Sequence, residues 1–527
     1  MIRRFRAGLG AAFRAPARPR WQVLLGAVVL GALIAAGQAP LGLWWIAMPA
    51  LAGAIWLGAG QGRGASVAWI GFGTGFGYAL AAMFWIVEPF LVEPEIYGWM
   101  APFALVLMAA GMGVFWALGF GLGALLGPRP GWIALGIALG MAGSDALRSY
   151  VFTGFPWVLI GHIWIGAPVA QAAAWVGPLG LSLMTALIAA APAIAAGLRH
   201  RVAGGVLVVC ALGALAAIWS GGQMRLDAPV PPRAQPIDLR LVQPNAPQNL
   251  KWLPQYRMKF FDRLLTLTEQ PPAPGKPKPD LIVWPETSVP FLLDRPGQGL
   301  ELSAQAAGGV PLALGIQRSE GTRYYNSLAV IGPDAQLEAL YDKSHLVPFG
   351  EYMPFGDALA KIGITAFAAQ VGNGYSAGPG EHLLDLGPKL GKVAPLICYE
   401  AIFPQDLMRF AQRPDWILQV TNDAWFGTLS GPWQHLAQAR LRAIEQGLPL
   451  ARDANTGVSA LIDAKGRIVA HLGMDKAGVL DVQLPPSLPK TLYARIGDVP
   501  IIALIVALFI IALLIVRIFV DRRRVAT

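Results

Sequence analysis

The sequence predicts two architectures in one chain, a bundle of membrane-spanning α-helices followed by a layered α/β domain, with one further apolar helix at the end. Three observations carry this expectation. The 527 residues are 55% hydrophobic and only 14% charged, more apolar than a soluble core requires. Residues 21–220 hold long uncharged runs, whereas 235–495 has the mixed composition of a soluble domain. Within that second part β-rich runs alternate with helical ones, the pattern of strands and helices packed in layers.

A helix needs about 20 apolar residues to cross a bilayer, and candidates occur at 21–36, 40–58, 66–87, 100–127, 131–147, 168–198, 202–220 and 499–520. The basic stretch from Arg3 to Arg20 precedes the first of them. More apolar segments follow at once, so it reads as an uncleaved anchor rather than a signal peptide. With that end in the cytoplasm, loops two, four and six fall on the same side and carry Arg63, Arg129, Arg199 and Arg201, as the positive-inside bias requires. The opposite loops carry Glu88, Glu93 and Glu95, with Arg148 and Arg225 as exceptions. The last candidate ends in Asp521, Arg522, Arg523 and Arg524, which returns the C-terminus to the cytoplasm.

The expected organisation is a basic cytoplasmic N-terminus over 1–20, a seven-span domain over 21–220, a linker over 221–236, an outer domain over 237–490, a final span over 499–520 and a cytoplasmic tail over 521–527. In a bacterium-like cell the outer domain then faces the periplasm. Membrane topology accounts for the net charge of +10. No nucleic-acid partner is expected, because the arginines lack the interleaved aromatics of a nucleic-acid groove.

Two features of the membrane part have alternative readings. The loop 149–167 holds Phe152, Phe155, Pro156, Trp157 and Trp164, which fits either a lipid entrance or an ordinary aromatic belt. Asp145 and Arg148 stand at helical spacing and either pair with each other, the plainer account, or meet a lipid headgroup.

In the outer part, strands are expected at 237–242, Leu281–Trp284, 311–316, 328–331, 393–398 and 416–420, with helices at 254–269 and Gly431–Gln446. Chemistry in such folds gathers at strand ends. Leu281–Trp284 runs into Pro285 and presents Glu286, a candidate general base if its surroundings are apolar and otherwise a solvated carboxylate. The segment 341–352 carries Lys343 and Glu351, alone no more than a charged surface run. The apolar strand 393–398 delivers Cys398, the outer domain's one cysteine, to a strand-to-helix turn. There it is either a small buried hydrophobe or a nucleophile. Cys210 is the other cysteine of the chain, so no disulfide framework is written here. The six histidines are scattered and nothing has zinc-like spacing, so no metal is expected.

Glu286, Lys343 and Cys398, in this order, resemble the Glu-Lys-Cys set of the nitrilase superfamily. The segments Leu241-Val-Gln-Pro-Asn245, Gln248-Asn-Leu-Lys-Trp252, Phe349-Gly-Glu-Tyr352, Cys398-Tyr-Glu400 and Thr421-Asn-Asp-Ala-Trp-Phe-Gly427, with apolar spans on both sides, are similar to the apolipoprotein N-acyltransferase family over nearly the whole chain. The resemblance implies a nitrilase-like αββα sandwich and a cofactor-free transfer of an acyl group. A phospholipid would be the donor and a diacylglyceryl apolipoprotein the acceptor, through a thioester on Cys398. Glu286 would be the base, and Lys343 would face the oxyanion together with a backbone N–H near Tyr399.

The resemblance also implies supporting roles for Glu351, Tyr399 and Glu400, with a structural hydrogen-bonding role equally open for Glu400. It places Trp252, Trp425 and Phe426 at the substrate entrance, where core packing is the alternative, and suits 362–374 to a mobile lid that touches lipid, with ordinary packing over the spans as the alternative. The Gly-rich stretch 371–378 matches the family only loosely. Two rivals share parts of this pattern: a membrane-tethered nitrilase-type amidase using water as acceptor, and a transporter or receptor whose outer domain only binds. The second would need paired charges or broken helices within the spans.

Overall fold

The computed structural model describes residues 19–62, 64–127, 129–354 and 374–525. The basic N-terminus to residue 18, Arg63 and the expected lid apart from Gly374 lie outside these. The chain divides into two compact units, Met1–Ala228 with Leu492–Thr527, and Pro229–Thr491.

The first unit is helical: α1 (Trp21–Ala35), α2 (Trp44–Ala59), α3 (Gly64–Ala82), α4 (Ala101–Gly123), α5 (Pro130–Tyr150), α6 (Ala173–Ala196), α7 (Arg201–Asp227) and the C-terminal helix Val499–Val525. Among the described residues, five helical stretches are long and apolar enough to cross a membrane, namely Gly64–Ala82, Pro94–Leu126, Pro168–Ala196, Arg201–Asp227 and Val499–Ile518, while α1 and α2 are shorter apolar helices. The many glycines let these helices touch backbone to backbone. A Cβ on Gly140 would collide with the Gly119 carbonyl oxygen, and one on Gly119 would fall 2.6 Å from that of Gly140. Gly31 and Gly77 do the same for α1 and α3. Between apolar helices in lipid, such close packing replaces the hydrophobic drive available in water.

Three sequence expectations need correction here. The span expected over 66–87 ends as α-helix at Ala82 and continues as the 3₁₀ segment Phe84–Leu91, which holds Pro89, a residue with no N–H for an α-helical bond. The linker expected from 221 begins later, because α7 runs to Asp227. The pair Gly221 and Gly222 does not end that helix; Gly222 seats it against Pro168, whose carbonyl oxygen occupies the place a Cβ would take. The aromatic loop is no simple interfacial belt, since Trp157 and Trp164 are buried, Trp164 donates to Thr185 Oγ1 at 2.8 Å, and Phe152 is 87% exposed.

Asp145 and Arg148 pair with each other at 3.1 Å, both buried. Arg148 also donates to the carbonyls of Phe155 and Trp157 at 2.8 and 2.6 Å, and Asp145 accepts from Ile160 N–H and Ser182 Oγ at 3.0 and 2.8 Å. The pair therefore pins the loop after α5.

The second unit is a four-layer sandwich. One sheet has the order β12-β1-β2-β3-β4-β5 and the other β11-β10-β9-β8-β7-β6. The strands are β1 (Asp238–Gln243), β2 (Leu281–Trp284), β3 (Leu312–Glu320), β4 (Arg323–Ile331), β5 (Leu337–Asp342), β6 (Leu384–Asp385), β7 (Lys392–Ile397), β8 (Trp416–Thr421), β9 (Leu450–Ala454), β10 (Ser459–Ile462), β11 (Ile468–Leu472) and β12 (Gly478–Gln483). Each sheet has three parallel strands, β1 to β3 in one and β7 to β9 in the other, flanked on one side by an antiparallel edge strand and on the other by two antiparallel strands.

Alternation along the strands builds the layers. Leu281 and Val283 of β2 point between the sheets to meet Val393, Trp416, Leu418 and Val420. Ile282 and Trp284 point the other way, under α9 (Pro254–Thr268) and α10 (Gly299–Ala307), which follow the short α8 (Gln248–Lys251). On the far side Ala394, Leu396 and Ile417 pack under α11 (Gly431–Gln446). The expected αββα sandwich is what forms.

Glycine packing in the first unit is directly testable. Gly140→Val is expected to lower the unfolding midpoint of the detergent-solubilised protein, in line with an overpacking cost of roughly 1–3 kcal/mol. Gly111→Val on α4, where nothing lies within 4 Å of the position a Cβ would take, is expected to leave it nearly unchanged. Equal shifts for the two would remove the close-packing account.

Candidate active site

Three connections bring the candidate residues together. Glu286 follows β2 in a turn that lies directly on β3: a Cβ on Gly315 would fall 2.5 Å from Glu286 Cα, and Ser288 N–H donates to the Gly315 carbonyl at 2.8 Å. Lys343 follows β5 and is held there by its own N–H, which donates to the Asn326 carbonyl of β4 at 2.8 Å. Cys398 follows β7 and opens the 3₁₀ turn Cys398–Ile402 with φ +50°. Thr287 and Phe349 are likewise left-handed, with φ +49° and +66°. Strain of this kind in non-glycine residues costs of order 1–3 kcal/mol each and persists where the surroundings over-determine it.

The side chains form a buried ionic cluster. Lys343 Nζ lies 2.9 and 2.8 Å from the two Glu351 oxygens and 3.7 Å from Glu286 Oε1. Asn326 Nδ2 donates to both carboxylates, at 2.7 Å to Glu286 and 3.1 Å to Glu351. Asn422 N–H donates to the other Glu286 oxygen at 2.8 Å, and Val347 N–H to Glu351 Oε2 at 2.8 Å. Burial acts against the Lys343 charge, yet Glu351, Glu286 and Cys398 together hold its pKa above the ordinary lysine value. Burial, followed by the negative charge of Glu286, raises the Cys398 thiol well above its usual range, with Lys343 opposing. At rest this sulfur is therefore a thiol, and it needs a base to become a nucleophile.

Glu400 ties the nucleophile turn to the lysine loop. One oxygen accepts from Ile397 N–H at 2.7 Å. The other accepts from Tyr341 Oη at 2.8 Å, Ser344 N–H at 2.7 Å, Ser344 Oγ at 3.0 Å and His345 N–H at 3.2 Å. Of the two roles the sequence left open for Glu400, this network is the hydrogen-bonding one. Tyr399 is buried, its ring edge-on to those of His345 and Phe403 at 5.8 and 5.0 Å.

Behind the nucleophile, His435 Nε2 lies 2.9 Å from the Cys398 carbonyl oxygen and Nδ1 lies 2.9 Å from Asp423 Oδ1. Asp423 also pairs with Arg452. Burial works against the Asp423 charge, but Arg452 and His435 outweigh it and hold the carboxyl below the usual range.

Trp252, Trp425 and Phe426 are all half-buried. Phe426 leans edge-on against His435 at 5.8 Å and packs on the inter-sheet core, which favours the packing alternative for that ring. Sequence reasoning did not single out Asn326, Asn422, His435, Arg452 or Lys251 as site residues. Asn422 and Lys251 lie inside segments that resemble the family, so a signal exists for them; Asn326 sits in an ordinary strand and has none.

The fold and this cluster define a carbon–nitrogen-hydrolase-type domain: residues 239–491 match the family described as Carbon-nitrogen hydrolase. Residues 30–191 match the Apolipoprotein N-acyltransferase N-terminal domain. The chain is 38% identical to the apolipoprotein N-acyltransferase of Rhodopseudomonas palustris, covering 94% of this chain and 95% of that one. It is 37% identical to that of Bradyrhizobium diazoefficiens, covering 96% of each, and 41% identical to that of Sinorhizobium fredii, covering 81% of this chain and 80% of that one. The chain belongs to the apolipoprotein N-acyltransferase family.

Two measurements check the electrostatics. In a Cys210→Ser background, iodoacetamide alkylation of Cys398 is expected to rise with pH only beyond the ordinary thiol range. Glu286→Gln is expected to move that profile to lower pH, because it removes a negative charge that disfavours the thiolate; a shift to higher pH would contradict the account. Glu400→Gln, which sets an NH2 against a backbone N–H, is expected to cost roughly 1–3 kcal/mol, read as a lowered unfolding midpoint and faster alkylation of Cys398 below that midpoint.

Proposed function

We propose that this membrane-bound N-acyltransferase moves a fatty acyl group from a phospholipid to the α-amine of the N-terminal diacylglyceryl-cysteine of apolipoproteins, through a thioester on Cys398. The observation that carries the reading is the placement of this thiol, at the end of an apolar strand and beside a buried ammonium shared by two carboxylates.

In the proposed sequence Glu286 takes the thiol proton as Sγ attacks the acyl ester carbonyl. The Lys343 ammonium faces the oxyanion that develops. Collapse breaks the bond to the glycerol oxygen, which receives the proton from Glu286 and leaves as lysophospholipid. The acceptor amine then attacks the thioester carbonyl and gives its proton to Glu286. The thiolate departs, an amide remains, and Glu286 returns the proton to sulfur.

Glu351 holds Lys343, and Glu400 and Tyr399 hold the nucleophile turn. Trp252 and Trp425 border the acyl chains, with Phe426 behind them. Both substitutions would act on acylation: Glu286→Gln is expected to lower its rate about 10²–10⁴-fold and Lys343→Met about 10²–10³-fold.

The same proposal extends to topology. Residues 1–20 and 521–527 lie in the cytoplasm, eight helices cross the bacterial inner membrane, and 237–490 faces the periplasm, with 228–236 as the linker. The charge bias of the loops supports this orientation.

Intact-protein mass spectrometry of the purified protein with phospholipid and no acceptor tests the chemistry. Wild type is expected to gain one acyl increment, labile to hydroxylamine, absent from Cys398→Ala and discharged onto a diacylglyceryl-cysteine peptide. Discharge to water at the same rate with or without the peptide would favour an amidase-like hydrolase. An increment unchanged in Cys398→Ala would remove Cys398 as the acyl carrier.

A further inference from the structure

Charge at the site does not balance with Lys343 alone. Glu286 and Glu351 bring two carboxylates to one ammonium, and that ammonium is already engaged by both oxygens of Glu351. A second ammonium stands beside them. Lys251, the last residue of α8, is 4% exposed. Of its three N–H donors, a single one has a hydrogen-bond partner among the described residues, the Glu286 carbonyl at the long distance of 3.5 Å. The Trp252 ring centroid lies 5.2 Å from Nζ. Burial pushes the pKa of this ammonium down to about 8, against the pull of Glu286. A buried ammonium with unused donors is costly by several kcal/mol, and among the described residues only the Glu286 carbonyl accepts from it, so its remaining donors are open to the oxygens of a ligand.

We propose that Lys251 is the anion-recognising group of the acyl-donor subsite and binds the phosphodiester of a glycerophospholipid. The proposal rests on the donor reading given above. In a glycerophospholipid the phosphorus is only a few bonds from the ester carbonyl, so a carbonyl held at Cys398 keeps the phosphodiester close to the sulfur. Lys251 Nζ meets the Glu286 carbonyl at 3.5 Å, and the Glu286 carboxylate acts electrostatically on both Lys251 and Cys398, so Glu286 links the two. The two carboxylates repel a phosphodiester, and Lys343 cannot serve Glu351, the oxyanion and a phosphate together. Lys251 offers a point charge with spare donors, the form in which lysine recognises phosphate. The subsite also has a consequence for the second half-reaction. Once lysophospholipid leaves, the uncovered Lys251 charge disfavours the ammonium form of the incoming amine, and so favours the neutral form that attacks.

The test uses the full-length protein in detergent micelles and two donors that differ only in the group of interest, dioleoylphosphatidylglycerol and dioleoylglycerol. Acylation of Cys398 is followed by intact mass. Lys251→Met is expected to slow acylation by the phospholipid about 10- to 100-fold, the worth of a hydrogen bond to a charged group. The same variant should slow the diacylglycerol reaction by less than about threefold, and Lys251→Arg should keep most of the preference for the phosphodiester donor.

Equal losses on both donors would overturn the proposal, since Lys251 would then act through Glu286 or the fold. No loss on either would overturn it as well. Where Lys251→Met does not fold, Lys251→Arg decides, because loss of donor preference with the charge retained contradicts phosphate recognition. Acceleration of the diacylglycerol reaction by added inorganic phosphate, dependent on Lys251, would assign the site to free phosphate and overturn the lipid source. If wild type takes acyl groups from diacylglycerol but not from phospholipid, the donor reading itself fails and takes this subsite with it.

Discussion

An ammonium buried with two carboxylates is the constraint around which the α/β unit is arranged. Desolvating such charges costs several kcal/mol per ion, and their attraction offsets this only when the geometry is good and the remaining donors and acceptors are satisfied. Lys343, Glu351 and Glu286 meet that condition through Asn326, whose amide nitrogen bridges the two acids, and through the backbone N–H groups of Asn422 and Val347. Each of these comes from a different strand or loop. Moving any one element by an ångström would leave a buried charge short of partners, so the cluster fixes the relative positions of β2, β4, β5 and β8 as much as they fix it.

The sandwich is suited to this task because its two sheets repeat one plan. Each has three parallel strands at its heart, and in parallel sheets functional groups collect beyond the carboxyl ends. Glu286 leaves β2, Cys398 leaves β7 and Asn422 leaves β8, so one sheet supplies the carboxylate and the other the sulfur. The left-handed backbone at Cys398 is then held from two sides. Glu400 anchors the turn to the lysine loop, and the His435–Asp423–Arg452 cluster, fully buried, meets the Cys398 carbonyl. Two separate polar networks thus position one residue, which is how strain at a functional position is sustained.

How much of this was legible in the sequence follows from where polar residues were buried. Strand β2 is a continuous apolar run and β7 is one after Lys392, and their ends point to Glu286 and Cys398. Strand β9, Leu450–Ala454, was invisible because it carries Arg452 and Asp453 into the interior, against the usual association of charge with loops. Strand β5 carries Glu338 and Asp342, and only its last two residues fall within the charged run 341–352. Strand β11 is largely exposed and has no buried face to betray it. The aromatic loop of the first unit misled for a related reason: composition reports that tryptophans are present, and packing decides that Trp157 and Trp164 turn inward. Asn326 was beyond reach, since nothing local distinguishes an asparagine in a strand from one that bridges two carboxylates forty and twenty-five positions away.

The resting thiol fits the proposed chemistry better than a permanently ionised one would. Burial and the Glu286 charge hold Cys398 in its protonated form, so the sulfur is a poor target for stray oxidants and electrophiles. The same conditions make the thiolate a stronger nucleophile once formed, because intrinsic nucleophilicity rises with pKa. On the proposed mechanism the thiolate exists only while an acyl carbonyl is in place to accept it, with Glu286 holding the proton. Transfer of that proton also neutralises Glu286, which removes the charge that had disfavoured the thiolate. Base and nucleophile are therefore coupled electrostatically, and the negative charge that leaves Glu286 reappears on the oxyanion beside Lys343, so that the total charge buried in the site stays constant through the step.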